Sequence, residues 1–140
     1  PVVLMHSRGN SQTMDDLTDY SDLIQEVKSG LLERTDSAVT AGVREDQIIW
    51  DPGLGFAKTH EQNLKLLKDL EQLTCGPSPL LVGPSRNRFI RAVLDEPRPK
   101  ARLWGTAAVA CRCAQAGVAL VRVHDVGPIA QTLRMASALW

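Results

Sequence analysis

The stretch Ile48-Ile49-Trp50-Asp51-Pro52-Gly53-Leu54-Gly55-Phe56-Ala57-Lys58-Thr59 decides how the rest of the 140-residue chain is read. Ile48-Ile49-Trp50 is a short apolar run of β-forming residues, sized for a buried strand and too short for a helix. Asp51 stands at its end, and Pro52-Gly53 and Gly55 then stop the strand and turn the chain. Thr59-His60-Glu61-Gln62 has the spacing of a capping box, which opens a helix carrying Leu64, Leu66, Leu67 and Leu70. A strand, a carboxylate at its end, a glycine-rich turn and a helix start make the layout of a ligand site on an α/β sheet. The plain alternative is that Asp51 only caps the turn.

Working outward, the same unit recurs. Val2-Val3-Leu4-Met5 predicts a strand that ends in His6-Ser7-Arg8-Gly9-Asn10. The stretch from there to about Asp19 is too rich in Ser, Thr and Asp for a packed element. Between Tyr20 and Ala41, Leu23, Ile24, Val27, Leu31, Ala38 and Val39 recur at helical spacing, with Gly42 as the stop. The helix opened by Thr59 runs to about Leu73, and Cys75-Gly76-Pro77-Ser78-Pro79 breaks the chain. Leu80-Leu81-Val82 predicts a third strand, ending in Gly83-Pro84-Ser85-Arg86-Asn87-Arg88, and a short helix through Phe89, Ile90 and Val93 follows. After a charged, Pro-rich loop at 95–100 comes an alanine-rich helix at 103–116 stopped by Gly117. Val118-Ala119-Leu120-Val121-Arg122-Val123 predicts the fourth strand, His124-Asp125 follows it, and a last helix runs from about Pro128 to Trp140.

Composition narrows the class. At this length the chain is one domain at most. Sixteen basic residues balance sixteen acidic ones, which argues against a nucleic-acid or anionic-membrane partner. No apolar run approaches a membrane span and no signal peptide opens the chain. Three cysteines, an odd number, predict no disulfide framework. Cys111 and Cys113, two apart in a helical pattern, point to different faces and make a poor metal pair. All three read as reduced thiols of a cytoplasmic protein. The chain opens at Pro1, directly on a strand, and this predicts a piece of something longer.

Continuous apolar strands, each followed by a helix, argue for a parallel sheet with covered faces. Every polar constellation then falls just after a strand: His6 and Arg8, Asp51, Ser85 and Arg86, Arg122 and His124. In a parallel sheet such positions converge on the C-terminal face, where barrel enzymes keep their sites. A (β/α)8 barrel needs eight strands and this chain supplies four, leaving two open edges and an uncovered inner face.

These four strand ends resemble dihydropteroate synthase. The matching stretches are Val3-Leu4-Met5-His6 with Arg8-Gly9, Asp51-Pro52-Gly53-Leu54-Gly55-Phe56 with Lys58-Thr59, Leu81-Val82-Gly83-Pro84-Ser85-Arg86, and Arg122-Val123-His124-Asp125-Val126. The resemblance runs through the whole chain. It implies that residues 1–140 are the C-terminal half of a (β/α)8 TIM barrel, strands five to eight. It also implies condensation of 6-hydroxymethyl-dihydropterin pyrophosphate with p-aminobenzoate in folate biosynthesis, giving dihydropteroate and pyrophosphate.

By the same resemblance, Asp51 would accept hydrogen bonds from the pterin, Met5 and Phe56 would flank its ring, and Asn87 stands at a pterin-contacting position. Arg122 and His124 would hold the departing pyrophosphate, whose growing negative charge calls for cations. Ser85 and Arg86 would meet p-aminobenzoate, Ser85 at a helix start. His6 and Arg8 would only support the face, and Lys58 would be exposed. The family uses Mg2+, whose main protein ligand would lie in the other half-barrel. Its homodimers usually pack through the last helices. The sequence departs from the family at three points: Asn87 replaces a lysine, Ala57 a glycine, and Arg91 another common glycine. A missing half-barrel and Asn87 leave rival expectations, a non-catalytic pterin-binding or assembly module and an inactive fragment.

Overall fold

In the computed structural model, which describes residues 1–140, four strands alternate with helices. The strands are β1 (Val2–Met5), β2 (Ile48–Asp51), β3 (Leu81–Val82) and β4 (Leu120–Val121). The helices are α1 (Leu23–Thr40), α2 (His60–Lys68), α3 (Glu71–Thr74), α4 (Arg88–Leu94), α5 (Leu103–Gln115) and α6 (Val126–Leu139). The class is α/β, as the strand–helix alternation predicts.

All pairing is parallel. β1 lies beside β2 with Met5 opposite Asp51, and β3 lies beside β4 with Val82 opposite Val121. A parallel bridge between Trp50 and Leu80, with the Trp50 N–H donating to the Pro79 carbonyl at 2.9 Å, joins the two pairs. The spatial order therefore follows the chain, β1-β2-β3-β4, and all four strand ends face the same way.

Local chemistry accounts for the elements. In α1, Leu23, Ile24, Val27 and Leu31 form one buried stripe, and the Asp22 carboxylate caps its start by accepting from the Gln25 N–H at 3.2 Å. The capping box at Thr59 forms as its spacing predicts: the Thr59 hydroxyl accepts from the Gln62 N–H, and the Gln62 side chain accepts from the Thr59 N–H. Trp50, fully buried, anchors the core between sheet and helices, and its indole N–H donates to Thr35 Oγ1 at 2.9 Å. Leu66, Leu70, Leu73, Leu80, Val82 and Phe89 are buried in the same cluster.

Three local expectations are corrected. The helix after Thr59 does not run unbroken to Leu73 but divides into α2 and α3. Arg112 on α5 donates to the Leu67 and Lys68 carbonyls at 3.0 and 2.7 Å and also pairs with Glu71. The carbonyls that would continue the helix ladder are thereby taken. β4 is shorter than six residues because its partner β3 is closed in by Pro79 and Pro84, which have no N–H to give the ladder. The polar segment before Tyr20 holds no packed element, as its composition predicts, only a short 3₁₀ turn at Met14–Asp16 with no buried residue. The Pro-rich loop ends in a second 3₁₀ turn, Pro99–Arg102, whose Arg102 is buried.

Parallel partners share a face. Val3 with Ile49, and Met5 with Asp51, therefore point to the side away from Trp50. That side is open: Val3 is 47% exposed, and Leu120 on β4 is 42% exposed.

Candidate active site

Asp51 is the last residue of β2 and only 4% exposed. Its backbone carbonyl accepts from the His6 N–H at 2.9 Å, which extends the β1–β2 pairing to the strand ends. One carboxylate oxygen accepts from the Gly53 N–H at 2.8 Å. Gly53 has a φ of +70°, and a Cβ there would collide with the His6 carbonyl oxygen, so the turn that presents this N–H accepts glycine alone. Burial raises the Asp51 pKa above the usual carboxylate value, against the pull of the Gly53 N–H, Arg122 and Lys58.

Lys58 is not exposed, contrary to the reading of the sequence. It is 7% exposed, and its ammonium reaches back under the glycine-rich turn, donating to the carbonyls of Gly53 at 3.1 Å and Phe56 at 3.0 Å. The third neighbour of Nζ is His6 Nδ1 at 3.1 Å. An ammonium only donates, so Nδ1 of His6 accepts while Lys58 is charged and the ring hydrogen sits on Nε2. Burial lowers the Lys58 pKa to about 7, and burial together with Lys58, Arg8 and Arg34 holds His6 at about 3. His6 is thus a buried neutral ring. Arg8 pairs with Glu26 on α1 and lies over the Tyr20 ring, 3.7 Å from its centroid. The Tyr20 hydroxyl donates in turn to the Ala57 carbonyl at 2.9 Å. Ala57 itself sits at φ +49°, the left-handed region in which a glycine is at home.

The loops after β3 and β4 are clasped together. The Ser85 hydroxyl accepts from the His124 backbone N–H at 3.1 Å and lies 2.9 Å from His124 Nδ1. Arg86 makes a forked pair with Asp125, with contacts of 2.9 and 3.2 Å from Nη2. Its φ is +58°, and both its backbone groups are tied, the N–H to Thr106 and the carbonyl to Arg102. The helix after β3 starts at Arg88, so Ser85 precedes it by a turn rather than standing at its start. Asn87 is the N-cap, its carbonyl oxygen turned to the Phe89 N–H and its amide donating to the Leu54 carbonyl at 3.1 Å. That bond joins the β3 loop to the glycine-rich turn after β2.

Arg122 lies against Gly83, close enough that a Cβ on Gly83 would sit 2.6 Å from its guanidinium. Gly83, Ser85, Arg122, Val123 and His124 line a small cavity of about 150 Å³. A guanidinium and an imidazole on one wall, with a hydroxyl behind the imidazole, suit an anion. Met5, opposite Asp51 on β1, and Phe56, in the turn that follows Asp51, are both half-buried. No group of three or more His, Cys, Asp or Glu side chains comes together in a way that could hold a metal ion.

Residues 1–124 match the family model described as "Pterin binding enzyme". The chain belongs to that family. A dihydropteroate synthase of Synechocystis sp. is 54% identical over 140 residues, covering all of this chain and 48% of the relative. Among solved structures, a Yersinia pestis dihydropteroate synthase in a sulfonamide complex superposes with a TM-score of 0.94 at 33% identity, covering 99% of this chain and 50% of that one. A Xanthomonas albilineans dihydropteroate synthase with 4-aminobenzoic acid gives 0.91 at 37% identity, covering 99% and 49%. The chain thus spans about half the length of the relatives it matches.

For a member of the pterin binding enzyme family, the strand ends singled out in the sequence fall together as the parallel topology requires. Asp51 with Met5 and Phe56 forms one group. Ser85 and Arg86 form a second with Arg122 and His124, and Asn87 bridges the two. The sequence reading missed Lys58, Arg102 and Asp125. The sequence carried no signal for Lys58, because the Gly53 and Phe56 carbonyls that need its buried donor are turned inward only in the folded turn.

Proposed function

We propose that these residues are the second half of the (β/α)8 barrel of a dihydropteroate synthase, its strands five to eight. They would serve the condensation of 6-hydroxymethyl-dihydropterin pyrophosphate with p-aminobenzoate in the cytoplasm. The observation that carries this reading is the buried Asp51 carboxylate: one oxygen is fixed by the Gly53 N–H, and it lies opposite the apolar Met5 on a sheet face that also presents Arg122 and His124. The names of the relatives, and the 4-aminobenzoic acid in one of their structures, point the same way.

In this reading Asp51 accepts the amino group and ring N–H of the pterin, a paired contact that a carboxylate makes well in a buried site. Met5 and Phe56 hold the ring between them. The bond from the pterin methylene carbon to pyrophosphate breaks, its electron pair leaving on the phosphate oxygen. Arg122 and His124 hold that oxygen more tightly as its charge grows. The amine nitrogen of p-aminobenzoate forms the new bond to carbon and sheds its extra proton to solvent. Ser85 and Arg86 stand at the p-aminobenzoate end. Arg86, its charge already shared with Asp125, serves there by holding the loop. Two copies would pack through α5 and α6, which expose Trp104, Met135 and Leu139, with the exposed Trp140 just after α6.

The test combines this chain with residues supplying the other four β/α units, taken from the first half of the Synechocystis relative, and measures dihydropteroate formation. Product is expected, and Arg122→Ala is expected to lower the rate by about 10²-fold or more. Failure of the combination to make product, or full activity in the Arg122→Ala variant, sinks the reading.

A second reading, a pterin-binding module without turnover, is favoured by Asn87, whose side chain is committed to capping α4 and to Leu54. Saturable binding of a pterin by a combination that makes no product even with Asn87→Lys would select it.

A further inference from the structure

Lys58 has no part in the reaction as described, yet its ammonium is buried and has three hydrogen-bond partners. Its Nζ holds the Gly53 carbonyl, the Phe56 carbonyl and His6 Nδ1, all within 3.0–3.1 Å. The two carbonyls belong to the residues that set the pterin contacts. Gly53 donates its N–H to Asp51 while its carbonyl is held by Lys58. Phe56 carries the aromatic wall. His6, the third partner, fixes β1 to the end of β2 through its N–H on the Asp51 carbonyl.

We propose that Lys58 is a positioning residue for the pterin pocket: its ammonium clamps the turn between Gly53 and Phe56, and through that turn it aims the Asp51 carboxylate and the Phe56 ring at the heterocycle. This rests on the pterin reading of the site. The alternative, that Lys58 only fills space, does not explain its position. A buried ammonium is unfavourable by itself, and a methionine of similar length would fill the same space without that penalty. What the ammonium adds is three donor hydrogens aimed at groups of the turn and of β1.

A lysine with a pKa near 7 gives the clamp a pH signature. The titratable groups around it are Asp51 at the end of β2, the neutral His6 just after β1, and Arg8 in the loop that follows. Asp15, His60, Glu61 and Arg88 line the cavity of about 260 Å³ that Lys58 also borders. Between the ordinary lysine value of 10.5 and about 7, the unfolded chain takes up a proton that the folded chain does not, so stability falls as pH falls through that window. Raising the pH from about 6.5 to about 8.5 therefore stabilises the fold while it removes the charge that holds the turn. A space-filling lysine would let stability and ligand affinity move together. A clamping one drives them apart.

The experiment titrates 6-hydroxymethylpterin into the chain and into its Lys58→Met, Lys58→Arg and Asp51→Ala variants. It is accompanied by thermal melts across that pH range and by amide hydrogen exchange at Gly53. Lys58→Met is expected to bind about tenfold or more weakly and to exchange the Gly53 amide about tenfold or more faster. Lys58→Arg, which stays charged, is expected to recover most of the affinity and to lose the wild-type fall in affinity above pH 7. Equal affinity and equal Gly53 exchange in Lys58→Met and wild type would overturn the proposal. If wild type fails to bind both alone and combined with the first half of the Synechocystis relative, or Asp51→Ala binds as well as wild type, the pterin reading itself has failed. The Gly53 exchange rates then decide alone whether Lys58 holds the turn: unchanged exchange overturns the clamp and faster exchange upholds it.

Discussion

His6 shows how a single residue can set the acid limit of the molecule. It is 4% exposed, held neutral with a pKa of about 3, and bonded through Nδ1 to a lysine. An ordinary histidine in the unfolded chain takes a proton below about 6.5, which the folded one refuses until about 3. Between those values the unfolded state binds more protons, so stability is lost as pH falls through that window and is unaffected by His6 above it. At pH 5 the loss is about 2 kcal/mol, from roughly 1.5 units at about 1.4 kcal/mol each. Urea midpoints measured between pH 7 and pH 4 should fall steeply, and His6→Gln, which keeps an acceptor for Lys58, should flatten that fall. An equally steep acid limb in His6→Gln would mean that other groups set it. The placement of His6 and Asp51 at strand ends was legible in the sequence because proline and glycine punctuate the chain just after them. The burial of Lys58 was not, because it depends on His6, 52 positions away, and on two carbonyls whose direction only the folded turn fixes.

At the scale of elements, arginines shape the parts that periodicity misreads. Arg112 divides the expected single helix into α2 and α3, and Arg102 turns a Pro-rich loop into a support for the active face. Arg102 is 6% exposed and has no carboxylate partner. Its guanidinium instead donates to three backbone carbonyls, of Glu96 at 2.9 Å, Pro97 at 2.6 Å and Arg86 at 2.9 Å. Arg86 is one of the three non-glycine residues with positive φ, so its backbone is held in place by its surroundings. Arg102→Met keeps the apolar stem and leaves the carbonyls without their donor, a loss of about 3 kcal/mol in total. Urea denaturation should show that loss as a lower midpoint with an unchanged slope. A loss below about 1 kcal/mol would show that water takes over the carbonyls and that Arg102 does not support the loop. Strand and helix order was readable because apolar runs and caps are local. These arginine supports join residues up to 45 positions apart and leave no periodic trace.

Across the whole molecule, the four strands form a parallel sheet whose outer face is covered by helices and whose other face is open. Val3, with Met5, Asp51 and Ile49 on the same side, looks onto that open face, and Val2 and Val3 at the end of the sheet are 39% and 47% exposed. A cavity of about 730 Å³ runs along the same edge between β1 and α1, lined mainly by polar residues including Arg8, Glu33 and Arg34. The parallel class and the uncovered face both followed from the sequence, from strands without polar alternation and from their number. On the half-barrel reading, the complementary four units cover this face and edge, and by mass action they stabilise the fold they bind. At a hundredfold excess over the dissociation constant the gain is about 2.7 kcal/mol. For a chain of this size that corresponds to a rise of roughly 5–10 °C in melting temperature. Thermal unfolding of the chain, followed by the signal of the buried Trp50 with rising amounts of the first half of the Synechocystis relative, should show that rise saturating with concentration. Val3→Asp, which places a charge on the covered face, should abolish the rise while leaving the melt of the chain alone nearly unchanged, because position 3 is already exposed there. A melt indifferent to the added half, or a rise unaffected by Val3→Asp, would mean that this face is closed by something other than the rest of a barrel.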